Sequence, residues 1–312
     1  MGDNGKTHCS IWAVAGGKGG TGKTFVINNI AIQLAARDKR TILVDADFGG
    51  PNVHTYFGVK PGTLSLTDFF EKNVPLDALI TPTGVDNLNI IPGNVNCLAS
   101  EGMKYAQKVK FLRHIQGLEA DYILLDLGGG VSLNTIDTFL VADKMILVLA
   151  PESTSIENLY HFVKNIYFRK LKILLGLHGL RHIAHEKWKE RKTNRVQDIR
   201  GLIESLREQE PEACHLISEE LSRFRVSLVL NQVRNEKQIS VGISLRSICA
   251  RYLGIEADFV GYVEHDAMFW QNINLEHPYM HFLKSSRLTE GVSRVTENLI
   301  AGRSFRGVRV SA

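Results

Sequence analysis

The sequence predicts an α/β fold, a doubly wound and mostly parallel twisted sheet, and three observations carry that expectation. Short β-branched runs recur along the chain: "SIWAVAGG", "TILVDAD", "NLNIIPG", "DYILLDLGGG", "KMILVLAP", "VSLVLNQV" and "DFVGYV". Each is continuously apolar instead of alternating, as strands are when helices cover both faces of a parallel sheet. Between the first two lies "KTFVINNIAIQLAARD", apolar on nearly every side, which predicts a helix packed on more than one face. Strand, helix and strand in repetition, joined by right-handed crossovers, give the doubly wound arrangement. Such sheets bind ligands at the carboxyl ends of their strands, and the polar motifs of this chain fall there.

The first strand runs into "GGKGGTGKT", which contains Gly-x-x-x-x-Gly-Lys-Thr from Gly17 to Thr24. A strand before it and a helix after it are the context in which this pattern forms a phosphate loop. Glycines let successive N–H groups turn inward onto phosphate oxygens, and the helix N-terminus adds partial positive charge. Lys23 is placed for the β- and γ-phosphates, and the Thr24 hydroxyl for Mg²⁺. The second strand ends in "LVDADFGGPN", where alternation sets Asp45 and Asp47 on one side if the strand continues. Carboxylates there position an attacking water, complete a Mg²⁺ shell or cap the following loop. "NLNIIPG" supplies a further strand. "YILLDLGGG" then ends in Asp126, four apolar residues running into an acid, the Walker B arrangement that holds Mg²⁺ directly or through water. Gly128 to Gly130 would let the next loop approach a γ-phosphate.

From about Tyr160 to Phe224 the rhythm changes to long helical patterns. Tyr160–Arg195 carries ten Lys/Arg against two Glu, plus four histidines, with Leu and Ile interleaved. These residues, 160–224, are expected to be a helical, basic insertion within one domain spanning 1–312. Two readings of its charge stay open: a solvated helix face, or a docking surface for acidic lipid, nucleic acid or a partner protein.

The 312 residues are 44% hydrophobic and 22% charged, enough to bury a sizeable core. No apolar run approaches the roughly 18 residues of a membrane span. The opening "MGDNGKTHCS" lacks the build of a secretory signal, so the chain is expected to be cytoplasmic. Cys9, Cys97, Cys214 and Cys249 are scattered, a spacing that argues against a zinc site and a disulfide framework and favours four free thiols. The net charge of +4 leaves any affinity for nucleic acid or anionic lipid to a local patch.

With these motifs in place, the chain resembles the MinD/ParA branch of P-loop ATPases (SIMIBI type), most closely its MinD, FlhG and Mrp members. The "deviant" Walker A of that branch, Lys-Gly-Gly-x-Gly-Lys-Thr, is matched by Lys18, Gly19, Gly20, Thr21, Gly22, Lys23 and Thr24. "VDADFGGPNVHTYFG" resembles its switch I region and "DLGGG" its switch II. "LVLNQVRNE" resembles the segment whose Asn reads the adenine edge, here Asn231. "VGYVEHDAMFWQNINLEHPYMHFLKSS" resembles its closing segment, with Glu264 where proline is common.

The resemblance implies ATP/ADP and Mg²⁺ as ligands and slow, partner-stimulated ATP hydrolysis. It makes Lys18 the signature lysine that reaches the partner's phosphates across an ATP-sandwiched homodimer. It assigns phosphate binding to Gly17 through Lys23, Mg²⁺ to Thr24, Asp126 and, in support, Asp45, and the attacking water to Asp47. Phe25 replaces a small hydroxyl residue, so its contacts to the α-phosphate would rest on backbone groups. The implied process is spatial regulation in cell division, flagellar placement or partitioning, with a regulatory protein partner and a place at a membrane or cell pole. No iron–sulfur cluster is expected, because the cysteines lack the pairing one needs. The alternative is an ATP-binding adaptor, or a cofactor-assembly protein of the Mrp type with little turnover.

Overall fold

The computed structural model describes residues 9–305, apart from 48, 61–63, 94–104, 190–196 and 268–286. Eight strands form one sheet in the order β3-β4-β2-β5-β1-β6-β7-β8. They are β1 (Ser10–Ala15), β2 (Thr41–Ala46), β3 (Thr81–Pro82), β4 (Leu88–Ile91), β5 (Tyr122–Leu127), β6 (Lys144–Leu149), β7 (Arg225–Val233) and β8 (Glu256–Glu264). All neighbours pair in parallel except β3 with β4. The seven apolar runs of the sequence are seven of these strands. Only the two-residue edge strand β3 carries no such run.

The helices are α1 (Lys23–Ala35), α2 (Val53–Tyr56), α3 (Leu66–Glu71), α4 (Tyr105–Ile115), α5 (Leu133–Phe139), α6 (Ser153–Leu177), α7 (Arg181–Lys189), α8 (Gln197–Arg207), α9 (Pro211–Ser222), α10 (Glu236–Ile248) and α11 (Arg287–Ala301). They cover both faces, which is why the strands lack alternation. Along β1, Trp12 and Val14 join one apolar cluster with α1 and α11, while Ile11, Ala13 and Ala15 join the other. Helix α1 has Phe25, Val26, Ile27, Ile30, Ala31 and Leu34 all buried, as its uniformly apolar sequence requires.

Helices α6 to α9 fill the interval between β6 and β7, and their inner faces belong to the main core. Phe162, Leu171, Leu202, Leu206, Cys214 and Leu221 are buried in the same cluster as the central strands. Arg169 of α6 donates to both carboxylate oxygens of Asp137 on α5, at 2.6 and 2.8 Å, and Lys170 reaches Glu220 of α9 at 3.5 Å. Part of the segment's positive charge is therefore engaged within the fold. No helix among the described residues is long and apolar enough to cross a membrane.

Candidate functional site

The site lies where β1 separates the two halves of the sheet, with α1 leaving on one face and α5 and α6 packed on the other. The topology reverses at such a point, and the loops leaving adjacent strands part to form a crevice. The loop from Gly16 to Gly22 fills it, and α1 begins at Lys23. Gly22, the residue before the helix, has φ +82°, and a Cβ there would lie 2.2 Å from the Asn231 side-chain nitrogen. Glycine meets both constraints, the left-handed backbone and the missing space. Gly129, in the loop after β5, lies flat on the phosphate loop, where a Cβ would come within 2.9 Å of the Gly19 nitrogen. The neighbouring Gly130 N–H donates to the Gly16 carbonyl at 3.2 Å. The phosphate loop and the loop after β5 are thus in direct contact.

Parallel register sets Asp45 of β2 directly beside Asp126 of β5. Asp126 is 1% exposed, and among the described residues the Thr24 hydroxyl is the hydrogen-bonding group set beside its carboxylate. Burial, with Asp45 next to it, pushes its pKa to about 8, against the downward pull of the Thr24 hydroxyl and the Lys23 ammonium. Asp45 is also fully buried, and burial raises it to about 6. Its carboxylate accepts from the Val53 N–H at 3.0 Å and the Asp47 N–H at 3.3 Å. The strand ends at Ala46, so Asp45 caps the loop that follows instead of sharing a strand face with Asp47. Asp47 accepts from the Gly49 N–H at 3.0 Å and lies over Gly128. A cavity of about 200 Å³ opens here, lined among others by Asp47, Gly49, Gly128, Ser132 and Thr135.

The residues here fit a divalent cation. Two buried carboxylates paired directly across adjacent strands are costly until positive charge neutralises them. Thr24 and Lys23 stand beside them, and the buried Thr21 hydroxyl has no hydrogen-bond partner among the described residues. Hard oxygen ligands of this kind suit Mg²⁺.

The remaining residues singled out by the sequence divide. Lys23 is 8% exposed, inside the crevice. Lys18 lies outside it, its ammonium donating to Glu152 at 2.8 Å and to the Thr154 hydroxyl at 3.0 Å at the start of α6. That ammonium holds the Glu152 carboxyl below its usual range. The Phe25 ring is buried, edge-on to Tyr56, which leaves only its backbone toward the loop. Asn231 is 4% exposed, and its amide donates to the Thr21 carbonyl at 2.9 Å. Glu152 and Thr154 were not singled out from the sequence, although "APEST" after β6 stands at a strand's carboxyl end like the other motifs.

Residues 9–174 match the family model described as "AAA domain". The chain belongs to the MinD/ParA branch of P-loop ATPases. It is similar to the antiactivator FleN of Pseudomonas aeruginosa, 31% identical over 156 residues, 49% of this chain and 55% of FleN. It is similar also to the septum site-determining protein MinD of Helicobacter pylori, 28% identical over 175 residues, 55% of this chain and 65% of that protein. The match thus spans between about half and two thirds of these relatives. MinD of Aquifex aeolicus, solved in a MinC:MinD complex, shares the fold over 96% of this chain and 99% of that one, with a TM-score of 0.61 and 19% identity. MinD of Pyrococcus horikoshii, solved with Mg-ADP, does so over 94% and 98%, with a TM-score of 0.59 and 17% identity.

Proposed function

We propose that this chain binds ATP with Mg²⁺, hydrolyses it to ADP and phosphate, and uses the nucleotide to switch between monomer and homodimer in a spatial-regulation process. The observation that carries the reading is the buried Asp126 carboxylate, paired in register with buried Asp45 and set beside Lys23 and Thr24 at the glycine loop. Thr24 and Asp126 would hold Mg²⁺, whose charge offsets that of the β- and γ-phosphates. Asp45 supports them by fixing the loop that bears Asp47, and Asp47 orients the attacking water. Lys23 binds phosphate within its own subunit, and Asn231, tied to the Thr21 carbonyl, would read the adenine edge.

Lys18 acts across the dimer, where a cation supplied in trans can be worth about 10³–10⁵ in rate in the arginine-finger systems. It would have to leave Glu152 and Thr154 to do so. The relative solved with MinC supports a regulatory protein partner by analogy. The basic helices between β6 and β7 are the surface we propose for membrane or DNA.

The test is size-exclusion chromatography with Mg²⁺ and a non-hydrolysable ATP analogue. The unaltered chain should elute as a dimer, while Lys18→Ala should bind the analogue and remain a monomer. A Lys18→Ala dimer would remove the role in trans. Specific ATPase activity should rise with protein concentration; binding without turnover would favour the adaptor.

A further inference from the structure

We propose that Gln232 is a positioning residue of the phosphate loop, its amide working with that of Asn231 to aim two loop N–H groups at the phosphates. The proposal rests on the nucleotide-binding reading above and adds to it a residue outside the phosphate-binding pattern. Asn231 donates to the Thr21 carbonyl at 2.9 Å, and Gln232 donates to the adjacent Gly20 carbonyl at 3.1 Å. A trans peptide is planar, with its C=O and N–H pointing opposite ways. Anchoring the carbonyls of Gly20 and Thr21 on the β7 side therefore turns the N–H groups of Thr21 and Gly22 away from β7. A carbonyl that accepts a hydrogen bond also polarises its own peptide and makes the N–H a stronger donor.

The backbone shows that this contact is built in. Consecutive residues of a regular strand point to opposite faces, so Asn231 and Gln232 could not both reach one loop from an undistorted β7. Gln232 has φ +62°, one of four non-glycine residues with positive φ among those described. The pairing of β7 with β8 shifts register between Leu230 and Val233, around this residue. A glutamine rarely adopts the left-handed region, and such strain persists where surrounding contacts impose it. Here the imposed geometry brings the second amide onto the same loop as the first.

Three proteins separate this role from a merely structural one: the unaltered chain, Gln232→Gly and Gln232→Lys. Each is melted without nucleotide and titrated calorimetrically with ADP in Mg²⁺. Glycine accepts the left-handed backbone freely. Gln232→Gly should therefore melt at or above the temperature of the unaltered chain, yet bind ADP roughly three- to tenfold more weakly for one lost hydrogen bond. Lysine can donate to the same carbonyl and should restore most of the affinity. Undiminished affinity in Gln232→Gly would overturn the proposal, as would a loss matched by a lower melting temperature and not rescued by lysine. An unaltered chain that binds no nucleotide would instead overturn the functional reading on which the proposal rests.

Discussion

Replacing Asp126 by Asn tests whether this carboxylate is held in place for a cation. Asp126 is buried opposite Asp45, and its pKa is pushed to about 8 from the ordinary 3.8. The folded chain binds this proton more tightly than the unfolded chain does. Its contribution to stability is thus full below pH 3.8 and is lost as pH rises toward 8. The difference between about 8 and 3.8, at about 1.36 kcal/mol per pH unit, sets a ceiling of about 6 kcal/mol. Water entry and relaxation at a strand end reduce this to roughly 2–4 kcal/mol at pH 8.

Asparagine keeps the shape and removes the charge. With metal chelated and no nucleotide, Asp126→Asn should melt roughly 5–10 °C above the unaltered chain at pH 8. At pH 5 the gain should shrink to about a third, because most of the folded-state carboxyl is then protonated. Adding Mg²⁺ should stabilise only the unaltered chain and so narrow the gap. Differential scanning calorimetry across pH reads all three effects. A variant no more stable than its parent at pH 8, or a gain independent of pH, would refute the reasoning.

Gly22→Ala should lower nucleotide affinity at least tenfold by titration calorimetry without loss of helical signal, because a Cβ there meets the Asn231 amide at 2.2 Å on a backbone with φ +82°. Glu152→Gln should lower, several-fold, the ATP-analogue concentration needed for half-maximal dimerisation in light scattering, since it weakens the hold on Lys18 within its own chain. An unchanged midpoint would show that the pair does not compete with the partner. Arg169→Ala should cost about 2–4 kcal/mol in denaturant unfolding, because it leaves the nearly buried Asp137 without its bidentate partner. Charge reversal of the exposed Lys172 and Arg181 avoids that damage, and it should reduce vesicle or DNA pelleting while sparing ATPase activity.

The sheet was legible in the sequence because a strand buried on both faces must be continuously apolar, and seven such runs are present. The two-residue β3 has no room for a pattern. The glycine loop between β1 and α1 was legible as a turn because a phosphate-binding pattern sets glycines and a lysine at fixed spacing between a strand and a helix. What surrounds it was not. The partners of Lys18 lie 134 and 136 positions away, joined to it only by the packing of α6 on the loop. The left-handed Gln232 follows from a register break that no residue type announces. Alternation would have aligned Asp45 with Asp47, but the strand stops between them and Asp45 turns to loop N–H groups. Helices α6 to α9 lie where the sequence changes to long helical patterns, whereas the core they share with the sheet depends on tertiary packing around Cys214 and Leu221.

Helix α6 has a mechanical consequence. It is one unbroken rod of 25 residues, about 37 Å long. Its first turns touch the backbone of Gly17 through Asn158 and hold Lys18 through Thr154, while its last turn leads into α7. Because the same helix is buried against the sheet through Phe162, Ile166, Leu171 and Leu174 and tied to α5 by Arg169, it sets a fixed span between the glycine loop and the start of α7.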